Sequence, residues 1–407
     1  MKKLLNYTEI ENPQFKKNLY FTIEIMFAST RLSPTFVEDF LGFLLENQPV
    51  TTNIESMNSD EELMIVGYCL AVAQVAVHYK KLKGDLILRY LPTLISLLTE
   101  YFAIENHRVQ NGALNAIENL MQYTLEKQYF TNTSYTNSSD IDGLNLDMLS
   151  LNAKFNDPDD TEENEGQLSQ AYKSMHPIRK IINVFQYCLK SSLDIVLKCI
   201  IKFVDIGSKS IIEHGGIELL NSVGSLKINK SVYKIWTKCL GKFMTEFGCE
   251  IFFSQSELKI EILDYDLTSP SFSMDSRSYL LTVIKDNVKN EPLPFFVENF
   301  VPLIIELSKA LKVVKKDQEF IKYKKYETLI YQIYEILPNF CSNSRGFGEC
   351  VPKILPRLDK LIKNNMYQAR TIALRALCEL IDFAKSVPKT DLEVKKVIFH
   401  FTNLKIS

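Results

Sequence analysis

Apolar side chains recur along most of this chain at the 3.6-residue period of a helix face. Between Arg108 and Glu126, Val109, Ala113, Ala116, Ile117, Leu120, Met121 and Thr124 fall at i, i+4, i+7, i+8, i+11, i+12 and i+15. Gln110, Asn111, Asn115, Glu118, Asn119 and Gln122 take the opposite face. The same kind of stripe predicts helices over 15–29, 34–47, 61–80, 86–103, 176–205, 231–247, 275–289, 293–311, 326–337, 350–363 and 366–385. Helices of this length joined by short polar turns are the pattern of stacked helical hairpins, and no sheet is expected. The longest apolar run, Leu63 to Val77, is interrupted by Gly67 and Gln74. It is shorter than the roughly 20 residues a membrane span needs, and reads as a helix buried on most sides.

An internal repeat sharpens this picture. Residues Leu91–Thr124 align without gaps on Val351–Ala384, at a constant offset of 260 residues. Pro92 meets Pro352, Leu98 meets Leu358, Ala113 meets Ala373, Leu114 meets Leu374, Ala116 meets Ala376 and Leu120 meets Leu380. Each unit reads as a first helix opened by proline, where a missing N–H is no loss, then a polar turn and a second helix with small residues that permit close approach. The unit resembles a HEAT repeat, carried by Leu355-Pro356-Arg357-Leu358 and by Ala369-Arg370-Thr371-Ile372-Ala373-Leu374-Arg375-Ala376-Leu377. Val301-Pro302-Leu303-Ile304-Ile305-Glu306-Leu307 begins another such unit, with Lys325–Pro338 as its second helix. Ile211 to Leu220, with its His214-Gly215-Gly216 centre, resembles an armadillo-type junction. The expected fold is an all-α, HEAT/armadillo-like superhelix, an α-solenoid.

Thr131 to Gln170 departs from the pattern. It holds nine acids, one lysine and few large apolar residues, too little to offset its ordering entropy, so a disordered loop or linker is expected. Its short apolar run, Leu144 to Leu151, reads either as a docking motif or as a frayed helical turn. The chain then divides into helical repeats over 1–130, the acidic loop over 131–170, and further repeats over 171–407. Net charge is −2 over 407 residues, so a wholesale basic nucleic-acid coat is excluded and any such contact must be a local patch. Glycine and proline are low at 14 each, which argues against a turn-rich β fold and against a Gly-rich nucleotide-binding fold. The start, Met1 to Glu9, has no apolar core of a secretory signal behind its basic tip. Eight scattered cysteines without a C-x-x-C pair read as reduced core thiols.

Catalytic chemistry finds no pattern. His78, His107, His176, His214 and His400 form no H-E-x-x-H, and there is no P-loop and no G-x-S-x-G elbow. Arg345-Gly346-Phe347-Gly348 reads as a turn between helices. No enzyme, metal site or cofactor is expected. The most basic stretch holds Lys312, Lys315, Lys316, Lys322, Lys324 and Lys325 among Tyr323, Tyr326, Tyr331 and Tyr334, against Asp317, Glu319 and Glu327. Lysine supplies phosphate contacts and tyrosine a stacking face, so these six lysines are the candidate RNA-binding residues. The plainer alternative is a solvated connection between two helices with the tyrosines in the core.

Two strings carry a more specific resemblance. One runs Asp275-Ser276-Arg277-Ser278-Tyr279-Leu280-Leu281-Thr282-Val283-Ile284-Lys285-Asp286-Asn287-Val288-Lys289-Asn290, followed by Leu293-Pro294-Phe295-Phe296-Val297-Glu298. The other runs Lys325-Tyr326-Glu327-Thr328-Leu329-Ile330-Tyr331-Gln332-Ile333-Tyr334-Glu335-Ile336-Leu337-Pro338-Asn339-Phe340-Cys341. Together they resemble the signature region of the ribosomal RNA-processing protein 12 family over 270–385. Tyr279 and Tyr334 stand where tryptophan is common there, and Asn339 where glycine is common. The resemblance implies a non-enzymatic nuclear and nucleolar scaffold for pre-rRNA processing and for assembly and export of ribosomal subunits. Its implied partners are pre-ribosomal particles and pre-rRNA, ribosomal or assembly proteins, a Ran-type GTPase and nuclear pore components, with no membrane. Family members are much longer, with more repeats and a basic tail, so this chain is expected to be a truncated form or a fragment. A karyopherin-like transport receptor built on the same repeats is the competing expectation.

Overall fold

The computed structural model describes residues 12–29, 32–49, 57–131, 175–255, 279–342, 346–363 and 367–386. Almost all of them lie in helices, and none lies in an extended strand. The chain falls into two compact units, Met1–Cys239 and Leu240–Ser407. Of the acidic segment expected over 131–170, all but Thr131 lies outside the described residues, as do the string 275–278 and His400.

The first unit begins with α1 (Pro13–Ser29), α2 (Pro34–Glu46) and α3 (Ser59–Lys83). Ser33 caps α2 through the Phe36 N–H, with Pro34 in the first turn. Asn58 and Glu61 close a capping box on α3. Then come α4 (Ile87–Glu100), α5 (His107–Thr124) and the short α6 (Gln128–Thr131). α5 is capped by Asn106, whose side chain accepts from the Arg108 and Val109 N–H groups. α7 (Pro177–Cys188), α8 (Leu193–Gly207) and α9 (Gly216–Gly224) follow. The single helix expected over 176–205 is thus two, broken at Leu189–Ser192 so that the pair folds back as a hairpin. α4 packs on α7 and α5 on α8, first helix on first and second on second, as stacked hairpins require. α3 packs against α1, α2 and α5. The run Ser59–Ala103 is long and apolar enough to cross a membrane by length and composition alone. Its side chains are instead core: Ile65, Tyr68, Cys69, Val72 and Val75 have no exposed surface.

α10 (Tyr233–Phe247) contains the division between the units. The second unit continues with α11 (Cys249–Ser254), α12 (Tyr279–Asn287), α13 (Leu293–Lys316), α14 (Phe320–Ile336), α15 (Pro338–Cys341), α16 (Phe347–Ile362) and α17 (Tyr367–Ser386). α13 and α14 form one hairpin, α16 and α17 the next, and again α13 packs on α16 and α14 on α17. The fold is an all-α helical-repeat architecture. Its aligned repeat is α4–α5 against α16–α17: His107 and Tyr367, 260 residues apart, are each the first residue of a second helix. The prolines correct the expectation that they open the first helix. Pro92 lies five residues inside α4, and Pro352 five inside α16. Each forgoes one ladder hydrogen bond, and the turn ahead of it persists because its apolar residues are buried, Ile87, Leu88 and Leu91 in the first copy.

Candidate nucleic-acid interface

The lysine cluster does not occupy a connection. Lys312, Lys315 and Lys316 lie in the last turns of α13, and Lys322, Lys324 and Lys325 in the first turns of α14, so the link is only Asp317 to Glu319. The sequence stripe ended α13 at 311 and began α14 at 326; both helices run several residues further, and Gln318, at φ 60°, makes the reversal between them. The tip is therefore the end of a helical hairpin. Lysines in the last turn of α13 also complement its macrodipole.

Charge at the tip is partly spent internally. Lys322 Nζ pairs with Glu319 at 2.7 Å, and Lys324 Nζ with Glu327 at 2.7 Å; both hydrogen bonds raise their lysine's pKa. Lys312, Lys315 and Lys316 are exposed and have no ion pair among the described residues. Of the four tyrosines, Tyr326 and Tyr334 are buried core residues. Burial raises the Tyr334 pKa against an opposing hydrogen bond from Arg357. Tyr323 and Tyr331 remain half-buried, and Lys324 Nζ lies 6.0 Å from the centre of the Tyr323 ring. The core reading thus holds for Tyr326 and Tyr334, while Tyr323 and Tyr331 are only partly covered.

The tip also carries apolar surface that sequence reading passed over. Phe320 is 78 % exposed, Ile321 88 % and Val313 58 %. A phenylalanine left in water forgoes roughly 1.5–3 kcal/mol of burial. The signal was present in the periodicity. The buried stripe of α14 is Tyr326, Leu329, Ile333 and Ile336, and extending it backwards reaches Lys322, leaving Phe320 and Ile321 off the stripe.

The signature strings serve a different purpose: they pack the hairpins together. Phe295, Phe296, Phe300 and Phe340 form one ring cluster, with centroids 5.4–6.2 Å apart. Asn287 fills the space over Gly241, where any side chain would overlap its amide. Lys285 Nζ and Gln368 Nε2 both reach the Glu335 carboxylate at 2.9 Å, joining α12, α14 and α17. Burial pushes the Glu335 carboxyl up, but these two hydrogen bonds together with the Lys285 and Arg375 charges outweigh it, so it sits below the usual range. None of the eight cysteines forms a disulfide, seven are buried, and burial raises the thiol pKa of Cys69, Cys199, Cys239, Cys249 and Cys341. Among the described residues no three His, Cys, Asp or Glu side chains gather as metal ligands.

Stacked helical hairpins define a helical-repeat protein, and the family match makes this specific. Residues 103–403 match the model of the family described as ribosomal RNA-processing protein 12, HEAT repeats, and the chain belongs to that family. It is similar to an RRP12-like protein of Gallus gallus, 22 % identical over 82 % of this chain and 23 % of that protein. An RRP12-like protein of Homo sapiens is 33 % identical over 26 % of this chain and 8 % of its own. Ribosomal RNA-processing protein 12 of Saccharomyces cerevisiae is 26 % identical over 34 % of this chain and 11 % of its own. The chain thus spans less than a quarter of the length of each of these relatives. A crystal structure of an engineered protein covers 97 % of the chain and 96 % of its own at 11 % identity, and its TM-score of 0.30 carries no weight for the fold.

Proposed function

We propose that the chain is a non-enzymatic helical-repeat scaffold of ribosome biogenesis, associating with pre-ribosomal particles in the nucleus and nucleolus and touching pre-rRNA through the α13–α14 tip. The observation that carries the reading is the family match over 103–403. The exposed Lys312, Lys315 and Lys316 support the RNA contact, because phosphate neutralisation supplies most sequence-independent affinity. Contact with a Ran-type GTPase or with nuclear pore components has no support in the site's chemistry and forms no part of the proposal.

Purification of the tagged chain from its own cells, with sequencing of the RNA that copurifies, tests the scaffold role. Enrichment of ribosomal precursor RNA is expected. Release of bound protein cargo on adding a GTP-loaded Ran-type GTPase, with no precursor RNA, would replace this reading with the transport receptor. For the tip, Lys312, Lys315, Lys316 and Lys325 changed together to Gln should weaken RNA binding alike across sequences. The salt dependence should also flatten, by up to about one unit of slope per lost phosphate contact on a duplex. An unchanged affinity and slope in a folded variant would remove the RNA contact from this tip.

A further inference from the structure

Phe320 and Tyr323 lie three residues apart on α14, with Lys324 beside them and Lys316 one short reversal away. Residues at i and i+3 share a helix face, and three residues of α-helix rise about 4.5 Å. Two aromatic rings are therefore offered side by side on a basic tip, one of them almost wholly in water. No neighbouring helix among the described residues buries Phe320. Glu327 and Glu319 are neutralised by Lys324 and Lys322, each at 2.7 Å, and the remaining tip acid, Asp317, is outnumbered by Lys312, Lys315 and Lys316.

Lysines alone contact phosphate in duplex and single strand and give no preference for unpaired bases. Exposed aromatic faces add something only where a base face is free to stack, which a continuous duplex does not offer except at its ends. We propose that Phe320, supported by Tyr323, is a stacking platform that makes the lysine tip selective for unpaired nucleotides over duplex RNA. This rests on the RNA reading of the tip and names the class of RNA within it. Ile321 and Val313 are aliphatic, offer no stacking face, and contribute at most contact with sugar edges.

The test is fluorescence anisotropy on the full chain. The probes are a labelled single-stranded oligoribonucleotide of about 12 nucleotides without self-complementarity, a length within the usual site sizes, and the duplex it forms with its complement. Phe320→Ala should weaken single-strand binding roughly 5- to 150-fold, the range of one base–aromatic stack. It should leave duplex binding and the salt slope unchanged. Phe320→Tyr should retain single-strand affinity, while Phe320→Leu, apolar but without a ring, should lose it as Phe320→Ala does; a merely apolar or packing role would keep affinity in the Leu variant. A circular-dichroism melt of each variant checks folding; at 78 % exposure the side chain has little packing to lose. If the lysine variant loses RNA while Phe320→Ala binds single strand as wild type does, the stacking platform falls and the RNA contact stands. If neither variant changes binding, both fall. Equal losses on single strand and duplex would show that Phe320 serves general contact, overturning the selectivity.

Discussion

Asn339 shows how a residue that departs from its family's usual choice can carry a specific task. Its Nδ2 donates to the Ile284 and Lys285 carbonyls at 3.3 and 3.2 Å, at the end of α12. Its own carbonyl accepts the Glu291 N–H at 3.3 Å. The Ile284 carbonyl already takes the Val288 N–H, so the gain falls mainly on Lys285, one of the last-turn carbonyls a helix leaves open. Glycine has no side chain for this bond. Asn339→Ala should therefore cost about 1 kcal/mol, seen as a lower urea midpoint with an unchanged slope. Asn339→Gly should cost at least as much. A midpoint unchanged in both would mean water serves Lys285 equally well.

Between elements, the aligned repeat predicts unequal costs at equivalent positions. Leu114 and Leu374 correspond across the 260-residue offset, yet Leu114 is 7 % exposed and Leu374 47 %. α5, which bears Leu114, is covered by α8 of the following hairpin, whereas no following second helix lies on α17 among the described residues. Leu114→Ala should cost about 2–5 kcal/mol, while Leu374→Ala should stay within about 0.5 kcal/mol. Comparable losses in thermal melts of the two variants would sink this account of the stack. The same pair shows what the sequence disclosed. The repeat, the helix faces and the start of α5 were legible, because apolar period and spacing are local. Exposure of Leu374 was not, because it depends on what another hairpin covers. The interior Pro92 and Pro352 were misplaced for the same reason, since burial of the turn ahead overrides proline's local preference. At the candidate site the lysines were legible as charge. Phe320 was legible only by extending the α14 stripe back from Tyr326, because the helix was read as starting at 326 and Phe320 as lying outside it.

At the scale of the whole molecule, the acidic segment is the largest departure from the repeat pattern, and its two anchors in the first unit show what its removal should do. Before it, Tyr129 and Phe130 are fully buried, and the Phe130 carbonyl lies 2.7 Å from His214 Nε2. After it, His176 caps α7 by accepting the Ile178 N–H, and its ring stacks on His214 at 4.1 Å. Both anchors thus meet at His214, in the armadillo-like junction read from the sequence, and none of these contacts draws on residues 132–170. Those residues carry eight net negative charges and few large apolar side chains, so their composition gives them little to add to a core. Replacing 132–170 by a Gly/Ser linker of about 12 residues shortens the closed loop, which changes its closure entropy by only about 1 kcal/mol, in the stabilising direction. The net charge shifts from −2 to about +6 by simple count, a change felt mainly in solubility and long-range attraction to anions. The melting temperature should therefore stay within about 3 °C of the parent, or rise slightly, with the transition as steep as before. His214→Ala in the same background should lower it clearly, since it removes the group on which both anchors converge. A deletion that broadens the transition or lowers it by more than about 5 °C would show that the acidic residues pack on the first unit, and that the two anchors do not hold this junction alone.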